Sequence, residues 1–199
     1  MDKEPVITFI RDTLSSSNQP IARELLEEIA GHFEPKSFAR HDYFLSAGKV
    51  NTHHFFMTEG FMRAFTHNPE GTEVTTDFFN CNRPVFEANS FIKQEKSVEN
   101  IQAITDCHGF LLSFEKSNAL FHSIPVFRDF GRRVLLNEFA AYKRRTLALI
   151  TQTAEERYAE LIDTNKEIFR YAQLKHIASY LGITDTSLSR IRKEFSRKQ

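Results

Sequence analysis

A chain of 199 residues, 41% hydrophobic and 26% charged, is long enough to bury a sizeable core as one large domain or as one domain with a small companion. No apolar run approaches the roughly 18 residues of a membrane span, and Met1-Asp2-Lys3-Glu4-Pro5 lacks the basic-then-apolar layout of a signal peptide, so a cytoplasmic protein with no membrane partner is expected. The formal net charge of zero hides a segregation: residues 1–115 carry 10 Lys/Arg against 17 Asp/Glu, and the remainder carries 16 against 9. A basic half points toward nucleic acid, though a solvated helical face has the same composition. Cys81 and Cys107 lie far apart in no paired spacing, which argues against a disulfide framework and against a zinc or iron–sulfur site, and no cofactor is expected.

In chain order, two short helices come first, broken by the turn formers Ser15-Ser16-Ser17-Asn18-Gln19-Pro20, with Ile21, Leu25, Leu26, Ile29 and Phe33 at helical spacing in the second. From Phe38 to Phe114 short apolar segments alternate with turn signals at Ala47-Gly48, Glu59-Gly60, Asn68-Pro69-Glu70-Gly71, Asn82-Arg83-Pro84 and His108-Gly109. That texture predicts an antiparallel sandwich or barrel, and 14 of the 20 Phe fall within residues 1–115, so Phe supplies much of its core.

Ser123, read as an N-cap with Pro125 in the first turn, opens a long helix to about Ile150, interrupted only by Gly131. It carries two apolar stripes, Phe127, Phe130, Val134, Ala141 and Ala148 on one and Leu135, Phe139, Tyr142 and Leu149 on the other. One stripe can pack on the chain's own sheet and the other on a second copy; the spacing serves a single broad core-facing surface equally well. Thr153-Ala154-Glu155-Glu156 then matches a capping box for a further helix, which makes residues 151–153 a candidate hinge.

The stretch from Leu174 to Ile191 meets the requirements of a helix-turn-helix. Ala178 is small where two helices cross, Gly182 tolerates the positive φ of a tight turn four residues later, and Thr184 can cap the second helix. Ile177, Leu181, Ile183, Leu188 and Ile191 supply a shared core. The outer face of the second helix offers Thr186, Ser189, Arg190 and Lys193, with Arg190 able to bond two acceptors on a guanine edge. Arg192, Lys193, Arg197 and Lys198 extend positive charge toward phosphates.

These residues, together with the turns around Gly60 and Gly71, the long helix and Ala154-Glu155-Glu156-Arg157-Tyr158, resemble the family of cyclic-AMP receptor and fumarate–nitrate reduction (Crp/Fnr) regulators over the whole chain. The resemblance implies an α+β protein: an N-terminal antiparallel β-roll (jelly-roll) sensor domain over residues 1–115, a dimerisation helix over 116–150 and a helix-turn-helix DNA-binding domain over 151–199. It implies a homodimeric transcription regulator, with Lys175, Thr184, Thr186, Ser187, Ser189, Arg190 and Lys193 at the DNA and Phe127, Phe130, Val134, Phe139, Tyr142 and Leu149 between the two copies. Double-stranded DNA, a second copy, a small-molecule effector of unknown identity and RNA polymerase are the candidate partners.

Two departures stand out. Relatives that bind cyclic nucleotide carry a Gly-Glu pair followed by Arg-Ser or Arg-Thr and Ala; this chain has Phe86-Glu87 and then Ser97-Val98, so Glu87, Ser97 and Val98 mark the equivalent pocket without its Arg. Lys96 cannot supply the two-pronged phosphate contact of an Arg, so an effector other than cyclic AMP, or none, is expected. No β-hairpin wing is expected after the recognition helix.

The alternatives are a small-molecule-binding roll acting on a protein partner and a cupin-like metal enzyme using His53, His54 and Glu59. The latter fails on geometry, because adjacent strand residues face opposite ways. No phosphate loop, nucleophile elbow or H-E-x-x-H occurs, so enzymatic activity is not expected.

Overall fold

A computed structural model describes residues 2–15, 21–81 and 83–198. Of the expected break at Ser15–Pro20, residues 16–20 lie outside the described residues, as do Asn82 of the Asn82-Arg83-Pro84 turn and the side chain of Lys198. Helix α1 (Glu4–Leu14) starts with a proline in its first turn, and α2 (Arg23–Gly31) follows. The strands are β1 (Glu34–Phe38), β2 (Tyr43–Leu45), β3 (His53–Glu59), β4 (Met62–His67), β5 (Glu73–Phe79) and β6 (Pro84–Val85), then helix α3 (Ala88–Lys93), then β7 (Asn100–Ala103) and β8 (Cys107–Ser113). They form two four-stranded sheets, ordered β1-β8-β3-β6 and β2-β7-β4-β5, with every strand pair antiparallel. This is the expected roll.

Strand alternation assigns neighbouring aromatic residues to different cores. Phe55, Met57, Met62, Ala64 and Ile101 point between the sheets and fill the roll. Phe56, Phe110 and Leu112, on the opposite face, pack against α1, α2 and a later helix. Phe61 and Phe78 belong to a third cluster shared with the C-terminal helices. The sheets are therefore covered outside as well as filled inside.

After β8 the chain forms α4 (Phe114–Ser123), capped by the Ser113 hydroxyl, and α5 (Pro125–Thr151). Two expectations are corrected here. The long helix does not include residues 116–123, which form α4, and Ser123 is not its N-cap. The Ser123 hydroxyl instead donates back to the Ala119 carbonyl at 2.8 Å, and α5 starts from Ile124, whose side chain offers no cap, with Pro125 in the first turn, where its missing N–H costs nothing. Phe127, Phe130 and Val134 are buried in the same cluster as α1 and α2. That burial removes these three from the expected contact between two copies, because they already have a core. Phe139 (69% exposed) and Leu149 (42%) remain uncovered, alongside Leu136 (59%) and Ile150 (75%).

The chain continues as α6 (Ala154–Thr164), α7 (Lys166–Tyr171), α8 (Leu174–Tyr180) and α9 (Asp185–Lys198). The capping box at Thr153 forms as expected, with the Glu156 amide donating to Thr153 Oγ1 and the Thr153 amide to Glu156 Oε2.

Candidate functional site

The geometry of α8 and α9 follows from a few residues. Helix α8 ends in a Schellman arrangement, the Ile183 amide donating to the Ala178 carbonyl and the Gly182 amide to the Ser179 carbonyl, both at 3.0 Å. This requires a left-handed residue between them, and Gly182 has φ +68°. The Leu181 carbonyl accepts from Arg157 Nε and Nη2 at 3.1 and 3.0 Å, which ties α6 to the turn. Thr184 caps α9: its hydroxyl accepts from the Ser187 amide at 3.2 Å. Ile177, Ala178, Leu181, Leu188 and Ile191 are all buried.

That core fixes which side of α9 faces outward. Thr186, Ser189, Arg190 and Lys193 are exposed along it, and Lys175 is exposed on α8. Among the described residues Arg190 and Lys193 have no ion-pair partner, so both cations are available to an external anion. Thr184 and Ser187 differ from the others: their hydroxyls bond each other at 2.9 Å within the cap, and Thr184 also contacts the Thr186 hydroxyl at 3.0 Å.

Sequence reasoning did not reveal how this unit sits on the roll. Helix α8 lies against the edge strand β5, where the Thr75 amide donates to Ser179 Oγ at 2.8 Å. Phe78 meets Tyr180 with ring centroids 5.2 Å apart, and Phe61 meets Tyr171 at 5.6 Å. Arg145 of α5 joins the three parts by donating to the Thr76 and Tyr180 carbonyls while its guanidinium stacks 4.0 Å from the Tyr180 ring. Buried Arg63 pairs with Glu73, whose carboxylate also lies 3.8 Å from His176 of α8. Burial, with the Arg63 charge adding to it, pushes His176 down to about 4, so it is neutral near pH 7.

Residues 35–123 match the family described as the cyclic nucleotide-binding domain. No curated protein sequence matches the chain. Among solved structures, a protein from Eubacterium rectale assigned to the Crp/Fnr family of transcriptional regulators has a TM-score of 0.69 at 13% identity, over 93% of this chain and 87% of that one. FixK2 from Bradyrhizobium japonicum has 0.68 at 17% identity, over 83% and 85%. The c-di-GMP responsive global regulator CLP of Xanthomonas campestris has 0.68 at 14% identity, over 89% and 93%. The chain has the Crp/Fnr fold.

Within this Crp/Fnr fold the three residues at the equivalent nucleotide pocket are otherwise engaged. Both carboxylate oxygens of Glu87 cap α3, accepting from the Asn89 and Ser90 amides at 3.0 and 2.7 Å. Ser97 is buried with its hydroxyl bonded to the Glu99 amide and carbonyl. Val98 is 76% exposed. Burial pushes the nearby Glu99 carboxyl up, and the charges of Glu87 and Asp77 add to this. Asp77 is held by Arg83, which also binds Glu138 of α5 at 2.9 Å, and by the Tyr142 hydroxyl at 3.1 Å. Tyr142, expected between two copies, thus has a partner on its own roll.

The two neighbouring histidines separate as strand geometry requires. His54 pairs in register with Leu112 and sits among Phe86 and Phe91 outside the roll, while His53 Nδ1 lies 2.9 Å from the Thr52 hydroxyl. Among the described residues no three His, Cys, Asp or Glu side chains converge as a metal site would need, and no helix is long and apolar enough to cross a membrane.

Proposed function

We propose that the chain is a sequence-specific DNA-binding transcription regulator that works in the cytoplasm as a two-fold homodimer and performs no catalysis. The observation that carries this reading is the outer face of α9. A capped, core-anchored helix presents Thr186, Ser189, Arg190 and Lys193 together, with both cations free of partners among the described residues. Arg190 reads a base edge, Lys175 and Lys193 meet phosphates, and the capping hydroxyls of Thr184 and Ser187 face the same backbone. The second copy joins along Phe139, Leu149 and the neighbouring exposed residues of α5.

The effector, if the chain takes one, is a molecule other than cyclic AMP. Glu87 and Ser97 stand where relatives hold the nucleotide, both are engaged within the chain, and the Arg that pairs with the phosphate in those relatives is absent.

Selection from a random DNA library tests the reading. The enriched motif is expected to be an inverted repeat with half-site centres about 10 base pairs apart, and Arg190→Ala to cost about 1–3 kcal/mol per half-site while relaxing one base position. A motif without inverted symmetry, or one unchanged by Arg190→Ala, overturns it.

A further inference from the structure

A cavity of about 290 Å³ lies outside the roll, between the first sheet and helices α1, α3, α4 and α5. It is separate from Glu87, Ser97 and Val98, none of which lines it. Its walls are mostly apolar and rich in Phe, with Phe9, Phe56, Phe86, Phe91, Phe121 and Phe130 among them. The polar side chains on its lining are His54, Ser117 and Asn118, and its exposed apolar residues, Ile92 and Leu135, mark the mouth. The pocket is partly open to solvent at that mouth, and an apolar lining held against water favours an apolar occupant.

We infer that this cavity binds a small, uncharged, apolar molecule of one or two rings carrying a single hydrogen-bonding group, which His54 meets. Size sets the upper limit. An apolar cavity of about 150 Å³ holds one benzene ring, so a space nearly twice as large takes a fused pair. Charge is excluded because the lining offers no ionised group to pair with it.

His54 supplies the polar contact. Its ring packs 3.9 Å from that of Phe91 and 4.7 Å from that of Phe86, yet it makes no hydrogen bond within the chain among the described residues. Burial pushes its pKa down to about 3, so near neutrality it is an uncharged imidazole with one donor and one acceptor, which a molecule in the cavity can meet. A bound hydroxyl, amine or carbonyl replaces water at these ring nitrogens with a hydrogen bond in a less polar setting, where it is stronger.

Gly131 is an independent pointer. It lies inside α5, where glycine is a poor helix former, and its φ is not positive. A Cβ there would meet Phe121 at an ordinary 3.4 Å, so neither backbone nor packing demands glycine. Its missing side chain keeps the cavity wall open. Helix α5 supplies Phe127, Phe130, Gly131, Val134 and Leu135 to the lining, so an occupant bears directly on the helix assigned above to the dimer. Its role as effector rests on that assignment; its binding does not.

Calorimetric titration of the free full-length chain with 2-naphthol, two fused rings and one hydroxyl, tests the site. Saturable binding of one molecule per chain is expected. Gly131→Leu, which fills the cavity, should abolish it, and Gly131→Ala, which fits beside Phe121 and should keep the fold, should weaken it severalfold. His54→Leu should weaken 2-naphthol about tenfold and leave naphthalene unchanged. No saturable binding, or binding that neither Gly131 variant alters, overturns the inference. Because DNA is absent from the titration, its failure leaves the DNA-binding reading standing, and failure of DNA binding leaves the cavity standing.

Discussion

Replacing Phe139 with Glu separates the two faces of α5. The Phe139 side chain is 69% exposed. A Phe contributes about 150–250 Å² when covered, so the uncovered part is on the order of 120 Å². At about 25 cal/mol per Å² its burial stabilises a dimer by about 3 kcal/mol per protomer, and two-fold symmetry counts it twice. Full burial is an upper bound; if half is realised, the loss of about 3 kcal/mol weakens association more than 100-fold. Because the side chain has little core of its own, the fold should lose no more than about 0.5 kcal/mol. Phe130→Ala should do the opposite, costing about 3–5 kcal/mol of folding stability. Sedimentation equilibrium across a wide concentration range, with thermal melts beside it, reads both quantities. Wild-type association by Phe139→Glu would place the interface away from this stripe.

Acid should destabilise the protein through two histidines. Burial holds His54 down to about 3 and His176 to about 4, against 6.5 when free, so the unfolded chain binds more protons below pH 6.5. Their stabilisation is therefore complete above pH 6.5 and declines toward those folded values, by up to about 2 kcal/mol each at pH 5. Urea midpoints at pH 7.5 and 5 should differ accordingly, His54→Leu should shrink the difference, and equal midpoints would contradict the burial of both rings. Thr184→Ala removes the N-cap of α9 and should lower stability by about 1 kcal/mol. A calorimetric melt unchanged by that substitution would mean the cap bond contributes nothing.

Much of the C-terminal helical unit was legible because its constraints are local. Gly182, Thr184 and the Thr153 box each solve a backbone problem within a few residues, and small side chains at fixed offsets have few other reasons to be there. The roll was legible from turn signals. The cavity was not, because its lining gathers residues from four helices and the first sheet that lie far apart in the chain, and nothing local distinguishes Phe56, which faces the helices, from Phe55, which faces the roll interior. The two stripes of α5 were visible as periodicity, but periodicity does not say which one the chain covers itself. Only the packing of α1 and α2 on Phe127, Phe130 and Val134 decides it.

The seat of α8 on β5 has a consequence for solubility. Strand β5 ends its sheet, and a strand in that position presents unpaired amides on which another chain can assemble. Ser179 occupies one of those amides, and the C-terminal helices shield Phe61 and Phe78, which are 0% and 3% exposed. The C-terminal helical unit thereby guards the roll against sticking to its neighbours. A roll cut free of it, or one from which it has swung away, presents both an open strand and two bare aromatic rings, so any movement of α8 away from β5 must bring other atoms to cover them.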